Sequence, residues 1–372
     1  MFCREVLWKP FMHNSRVKNI LARTSANRRA ALVAMTTLVT GAICRASSVA
    51  DSQDESVGKS DSPNTDDDDP ATESEGVPQP GLPTLGGMQF WADLRFFRGY
   101  KIQRNVYSGH YRLLNADNRR FASGTLDECA STLDRLKQAN NLQPDTGHAV
   151  IYLHGLGRSS RSLRPVMNAM PDEGYVHIPF EYPSTRVPLE QSAGYLQTLI
   201  ESLIDVEKLS FVVHSMGGLV VRRYLVDHRD PRLHRMVMMG TPNSGAELAD
   251  MLKSNFVFRA IYGPAGQQLV TDPTGPAKSL PTPDFEFGIV AGGKNDDRGF
   301  NRLIPGDDDG TVTVASTRLA GAADFLLVPK LHSFLMSDET VIAAVRHFLE
   351  HGRFFPDRPP QPILAKPATV DA

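Results

Sequence analysis

Val213-His214-Ser215-Met216-Gly217-Gly218 follows the β-branched and apolar run Phe211–Val213 and opens an amphipathic stretch, Gly218–Asp227. A serine that is to act as a nucleophile needs a sharp strand-to-helix turn, which lifts its hydroxyl above the sheet. Small neighbours let strand and helix pass closely, and the usual form is Gly-x-Ser-x-Gly. Gly217 and Gly218 fit this pattern, whereas Val213 places a branched side chain where Gly or Ala is expected. The stretch therefore predicts a nucleophile elbow at Ser215. The alternative, a plain Gly-rich turn opening a helix, leaves the sites described next unexplained.

Continuous apolar runs alternate with helical periods on both sides of this turn. Strands are expected at Ala149–Leu153, Val176–Phe180, Phe211–Val213, Met236–Met239 and Phe285–Ala291, and a last one at Phe325–Val328. Runs without polar alternation suit parallel strands buried on both faces. Helices are expected at Leu163–Met170, Gln191–Ile204 and Gly218–Asp227, with a final helix through Val341, Ala344, Val345 and Phe348. Strand–helix repetition of this kind predicts an α/β fold: a mostly parallel sheet with helices on both faces. Such sheets carry their chemistry at the carboxyl ends of the strands.

Two further stretches fall at such ends, and a third lies between them in sequence. After the first strand, His154-Gly155-Leu156-Gly157 can turn backbone N–H groups toward a developing oxyanion, so the N–H groups of Leu156 and Met216 are the expected oxyanion hole. His154 is expected to shape this loop rather than act as the base. Between Ser215 and the carboxyl end lies Pro305-Gly306-Asp307-Asp308-Asp309-Gly310-Thr311-Val312, and after the last strand comes Leu331-His332-Ser333. His332 stands where a general base belongs. Asp309, directly before a Gly and a small apolar stretch, is the expected acid, with Asp307 and Asp308 as alternatives and solvation of the loop as the non-catalytic reading of all three.

Over about residues 148–350 the chain resembles the α/β-hydrolase superfamily, and within it the lipase and esterase branch that includes the bacterial triacylglycerol lipases. The likeness is carried by His154-Gly155-Leu156-Gly157, His214-Ser215-Met216-Gly217-Gly218, Gly240-Thr241-Pro242-Asn243-Ser244-Gly245, Asp309-Gly310 and His332. The order Ser, Asp, His along the chain is that of hydrolases of this fold. The resemblance implies a serine hydrolase of carboxylic esters that uses no cofactor and no metal, with Ser215, Asp309 and His332 as catalytic triad. It also implies a lid after the Gly-Thr-Pro run, and Leu248–Ile261 is apolar enough to form a helical one. An acyltransferase or thioesterase using the same triad is the alternative, and a non-catalytic binding module would need a broken triad.

The rest of the chain fits a globular enzyme with an address. The sequence has 372 residues, of which 41% are hydrophobic and 22% charged, which excludes collagen-like, coiled-coil and polytopic membrane classes. The formal net charge of -2 hides a basic residue 1–50 stretch and an acidic 51–80 stretch. What remains is neutral and gives no electrostatic reason to expect nucleic acid as a partner. The expected partner is a small-molecule or lipid ester; contact with a membrane surface is the second expectation, and no oligomeric state follows. Residues 1–50 read as a signal peptide or amino-terminal anchor: basic residues through Arg28-Arg29, an apolar run Ala30–Ile43, and small residues suited to cleavage after Ala50. The chain is thus expected to be exported, periplasmic or secreted, or held at the membrane by that segment. Arg28-Arg29 and Cys44 fit twin-arginine and lipoprotein patterns poorly.

Residues 51–85 read as an acidic disordered linker, 86–147 as a small α+β extension, 148–355 as the catalytic domain and 356–372 as a Pro-rich tail. The extension is rich in aromatics (Phe90, Trp91, Phe96, Phe97, Tyr100), with a hairpin expected at Lys101–Tyr107 and His110–Asn115 and a helix at Leu126–Ala139. Cys129, on that helix with Leu126, Leu133 and Leu136 at helical spacing, is expected to be a small core residue.

Overall fold

The computed structural model describes residues 88–246, 264, 266, 268 and 276–365. The expected signal, the linker and the Leu248–Ile261 lid segment lie outside the described residues.

Among the described residues the strands form two sheets. The larger contains β5 (Gly147–Leu153), β6 (Tyr175–Phe180), β7 (Val206–His214), β8 (Leu233–Met239), β9 (Glu286–Gly292) and β10 (Asp324–Val328). Its spatial order is β10-β9-β8-β7-β5-β6, and every neighbouring pair is parallel. The six expected strands are all present; β7 begins five residues earlier than the apolar run suggested, because Glu207 and Lys208 are exposed at its start.

Alternation of side chains across the strands builds two cores. On one face Ala149, Ile151 and Leu153 of β5 and Leu209, Phe211 and Val213 of β7 meet helices α3 (Leu189–Ser202) and α4 (Met216–Asp227). On the other, Val150, Tyr152 and Val212 meet α2 (Arg164–Asn168) and α5 (Glu339–His351). At ~1.5–3 kcal/mol for each large side chain fully withdrawn from water, these two faces are the main source of stability. Helix α2 is shorter than expected: a 3-10 turn, Ser160–Leu163, precedes it, and Pro165 sits in its first turn, where a missing N–H costs nothing.

The chain runs from β5 to the edge strand β6, crosses back to β7 on the other side of β5, and then continues outward to β10. The order of strands therefore reverses between β5 and β7. Loops leaving their carboxyl ends diverge to opposite faces, which leaves a crevice.

The smaller sheet is antiparallel in the order β1 (Trp91–Phe97), β2 (Tyr100–Asn105), β3 (Tyr111–Leu114), β4 (Arg120–Gly124). The expected hairpin is β2–β3. Strands β1 and β4 were not anticipated: β4 buries no residue fully, and β1 is broken by a register shift between Asp93 and Arg95. Helix α1 (Leu126–Ala139) spans the expected residues and is closed by a capping box between Thr125 and Glu128. It places Cys129, Leu133 and Leu136 against Ile102 and Leu113, so Cys129 is a core residue. Ala92, Leu94 and Phe96 of β1 belong instead to the core of the large sheet.

Candidate active site

Ser215 directly follows β7 and is the amino-terminal cap of α4, at φ 53 and ψ -125. A non-glycine residue at positive φ is strained and persists only where its surroundings over-determine it. Here Ser215 N–H donates to Met239 O of the neighbouring strand at 2.9 Å, and Ser215 O accepts from Gly218 N–H at 3.1 Å. The turn is tight enough that a Cβ on Gly217 would lie 2.6 Å from Leu153 O. Val213, the residue that departs from the usual pattern, is fully buried among the side chains of the α3/α4 face.

His332 opens a 3-10 turn, His332–Ser337, after β10. Its Nδ1 lies 2.6 Å from Asp309 Oδ2, and its N–H donates to Asp309 O at 2.8 Å. A carboxylate only accepts, so Nδ1 carries the proton and Nε2 keeps its lone pair. The second oxygen, Asp309 Oδ1, accepts from the N–H groups of Thr311 (3.0 Å) and Val312 (2.8 Å). Asp309 is 1% exposed, and its carboxylate is fully committed.

The other two aspartates serve the backbone. Asp307 accepts from the N–H groups of Lys294 (2.7 Å) and Asn295 (2.8 Å). Asp308, fully buried, accepts from Gly310 N–H (2.6 Å) and Asn301 N–H (3.0 Å), and burial raises the pKa of its carboxyl. Solvation of the loop is therefore not the role of the buried Asp308 and Asp309.

Several contacts hold His332 against the residues that flank the elbow. The ring of His214, the residue before the serine, lies 4.7 Å from the His332 ring centroid to centroid, and its Nε2–H donates to His332 O at 3.0 Å. His214 is completely buried, and burial, reinforced by His332 and Arg158 nearby, holds its pKa well below the usual histidine value. It is a neutral donor that fixes the backbone of the second histidine. Gly240, at φ 59 just beyond Met239, has its bare Cα against the same ring: a Cβ there would come within 3.0 Å of His332 Nδ1. Among the described residues Ser215 Oγ has no hydrogen-bond partner. Catalytic hydrogen bonds in free enzymes are commonly long and tighten when substrate binds.

The expected oxyanion donors lie on two elements that converge here. Met216 is the first residue of α4, so its N–H has no partner within the helix. Leu156 is central in a turn closed by Arg158 N–H donating to Gly155 O at 3.2 Å, with Gly157 at φ 68. His154, as expected, shapes this loop: it is fully buried, its Nδ1–H donates to Gly155 O at 2.9 Å, and its ring stacks on Tyr182 at 4.3 Å. Its Nε2 is 3.5 Å from Glu181 Oε2, but burial outweighs that carboxylate and lowers its pKa.

Sequence reasoning left His214, Tyr182 and Glu181 without a role. The position of His214 beside the serine was a local signal, whereas Tyr182 and Glu181 reach the site from the end of β6 and carry no motif. Among the described residues no group of three or more His, Cys, Asp or Glu side chains is arranged to hold a metal ion.

Residues 129–286 match the family model described as alpha/beta hydrolase fold. That span holds the 154–157 loop and Ser215 and ends before Asp309 and His332, whose pairing rests on geometry alone. No curated protein matches the sequence. Similar solved structures include a lipase of Bacillus licheniformis in its mature form, 21% identical, with 55% of this chain and 91% of that chain covered and a TM-score of 0.41. An esterase from Exiguobacterium antarcticum is 15% identical over 55% of this chain and 92% of that chain, TM-score 0.41. A thermophilic esterase from Thermogutta terrifontis, malate bound, is 18% identical over 56% and 91%, TM-score 0.39.

Proposed function

From the match of residues 129–286 to the alpha/beta hydrolase fold model, we propose that this chain is a serine hydrolase of carboxylic esters, an esterase or lipase, working through Ser215, Asp309 and His332. The observation that carries the reading is the 2.6 Å contact between His332 Nδ1 and a buried, doubly hydrogen-bonded Asp309, beside a serine held at positive φ at the end of β7.

In this mechanism Ser215 Oγ attacks the ester carbonyl carbon while its proton passes to His332 Nε2. The carbonyl oxygen becomes an oxyanion, which accepts from the N–H groups of Leu156 and Met216. The intermediate collapses, the C–O bond to the alcohol breaks, and His332 returns the proton to the departing alkoxide. Water then attacks the acyl-enzyme, again losing its proton to His332, and the carboxylic acid leaves as Ser215 is regenerated. Asp309 stays ionised throughout and stabilises the imidazolium.

Short-to-medium acyl chains are the proposed substrates. The sequence segment Leu248–Ile261 supplies apolar residues for an acyl pocket, but Lys253, Ser254 and Asn255 divide them into two short halves. Exposed Leu331 and Phe334 flank His332 and give the site an apolar rim. Export through residues 1–50 completes the proposal, with the enzyme acting outside the cytoplasm on soluble or membrane-derived esters.

Hydrolysis of p-nitrophenyl esters from acetate to palmitate, on both sides of each substrate's solubility limit, tests this reading. The rate should rise with chain length through the short esters, by up to ~0.8 kcal/mol of binding for each methylene buried, and then level off. A sharp increase for long-chain esters on crossing the solubility limit would show interfacial activation and overturn the short-chain preference.

A further inference from the structure

The turn that carries Leu156 is held from outside the hydrolase core. Gly157 N–H donates to Ser184 Oγ at 3.0 Å, and Arg158 O accepts from Gln89 Nε2 at 2.7 Å. The same Gln89 side chain accepts at Oε1 from Ser184 Oγ (3.1 Å), Thr185 N–H (3.1 Å) and Thr185 Oγ1 (3.0 Å). One half-buried amide therefore ties the 155–158 turn to the 184–185 loop after β6. The turn packs directly on the nucleophile: a Cβ on Gly155 would lie 3.1 Å from Ser215 Cβ.

Gln89 is itself fixed by the small sheet. It lies in the 3-10 turn Met88–Phe90 that leads into β1, where Phe90 O accepts from Val106 N–H at 2.9 Å. Four residues on, Asp93 meets Glu181 twice: Asp93 N–H donates to Glu181 O (2.9 Å), and Asp93 Oδ2 accepts from Glu181 N–H (2.8 Å). Asp93 is buried and braced by Gln103 Nε2 (2.6 Å), and Gln103 Oε1 accepts from Arg112 Nε (2.8 Å). Lys101 Nζ, 3.5 Å from Asp93, donates to Pro179 O of β6 at 2.6 Å. The Glu181 carboxylate accepts from Ser160 N–H (3.2 Å) and Ser160 Oγ (2.5 Å), just past the 155–158 turn. Side chains from β1 and β2 thus reach the backbone at the end of β6, with Arg112 of β3 bracing Gln103 behind them, next to the loop that Gln89 grips.

We propose that the amino-terminal sheet is a positioning device for the oxyanion hole, with Gln89 as the residue that sets the orientation of the Leu156 N–H through Arg158 and Ser184. The proposal rests on the serine-hydrolase reading above. Its physical basis is that stabilisation of an oxyanion depends on donors already aimed at the place where charge develops. A donor displaced by about an ångström loses most of its value. A hydrophobic core alone does not require a glutamine amide spanning two loops on the rim of the site.

The test uses the full chain with p-nitrophenyl butyrate as substrate and an alkyl trifluoromethyl ketone as inhibitor. Addition of Ser215 Oγ to that ketone forms a hemiketal whose oxygen occupies the oxyanion hole. Gln89→Leu and Ser184→Ala should each lower kcat roughly ten- to a hundredfold with little change in KM, and weaken the ketone by the same factor. The double variant should be no worse than the poorer single one, since both act on the same turn. If Gln89→Leu does not fold, Ser184→Ala alone decides. Wild-type kcat and ketone affinity in the folded variants would overturn the proposal, and so would a loss of kcat that leaves ketone affinity unchanged. Ser215→Ala, run in parallel, separates the two claims. Activity retained in Ser215→Ala would defeat the serine-hydrolase reading itself. An inactive Ser215→Ala beside a fully active Gln89→Leu would defeat only the positioning role.

Discussion

Three consecutive aspartates, Asp307, Asp308 and Asp309, have the same chemistry and different duties, because each points to a different set of N–H groups. Only Asp309 faces His332 Nδ1. Asp309→Asn would present an amide that can donate, and the imidazole would be offered the wrong partner for the Nδ1–H tautomer. We expect Asp309→Asn to lose on the order of 10⁴-fold in kcat, the scale known for the equivalent change in a serine protease. Asp307→Asn and Asp308→Asn should keep the imidazole in place, since the Asp307 carboxylate serves the N–H groups of residues 294–295 and the Asp308 carboxylate those of Asn301 and Gly310. Steady-state kinetics on the three variants checks this, and a crippled Asp307→Asn or Asp308→Asn beside an active Asp309→Asn would contradict it. The choice of Asp309 was legible in its position before a glycine. That Asp307 and Asp308 are structural was not, because their partners lie up to thirteen residues away in sequence.

Helix α4 does more than carry the serine. Arg222, two turns along it, is 1% exposed, and its guanidinium donates to Asn243 O and Oδ1 (both 3.1 Å), Leu280 O (2.5 Å) and Pro281 O (3.0 Å). Burial lowers its pKa to about 10, so it remains charged near neutrality, with carbonyl and amide oxygens around it in place of a carboxylate. The fork shape of arginine suits this work: five N–H donors reach acceptors that a lysine ammonium would meet as a single point. Arg222→Leu would leave those acceptors buried and unpaired, each costing ~1–3 kcal/mol. We expect a loss of at least about 3 kcal/mol in a urea titration, little of it restored by Arg222→Lys; a loss below about 1 kcal/mol would refute the assignment. The elements themselves were largely readable, since continuous apolar runs and helical periods mark the buried strands and α1, α3, α4 and α5. Strands β1 and β4 escaped because an edge strand with a bulge and a half-exposed strand take their definition from pairing across the sheet, which no local pattern records.

At the scale of the whole molecule, a strand order that reverses between β5 and β7 explains why the expected site residues, scattered from 156 to 332, converge. The loop after β5, the elbow after β7 and the turn after β10 all leave the same edge of the sheet, as parallel strands require. Chain order and short motifs carried that much, while the bracing of the 155–158 turn by the amino-terminal sheet depended on contacts 69 to 96 residues apart and left no trace in the sequence. The proposed function requires the strained serine at the end of β7 to be a nucleophile activated by His332. Incubating the folded full chain with a fluorophosphonate probe and weighing the intact protein tests it most directly. The wild type should gain the mass of a single phosphonyl adduct and Ser215→Ala none. A label that persists in Ser215→Ala, or a folded wild type that takes up no label, would contradict the claim.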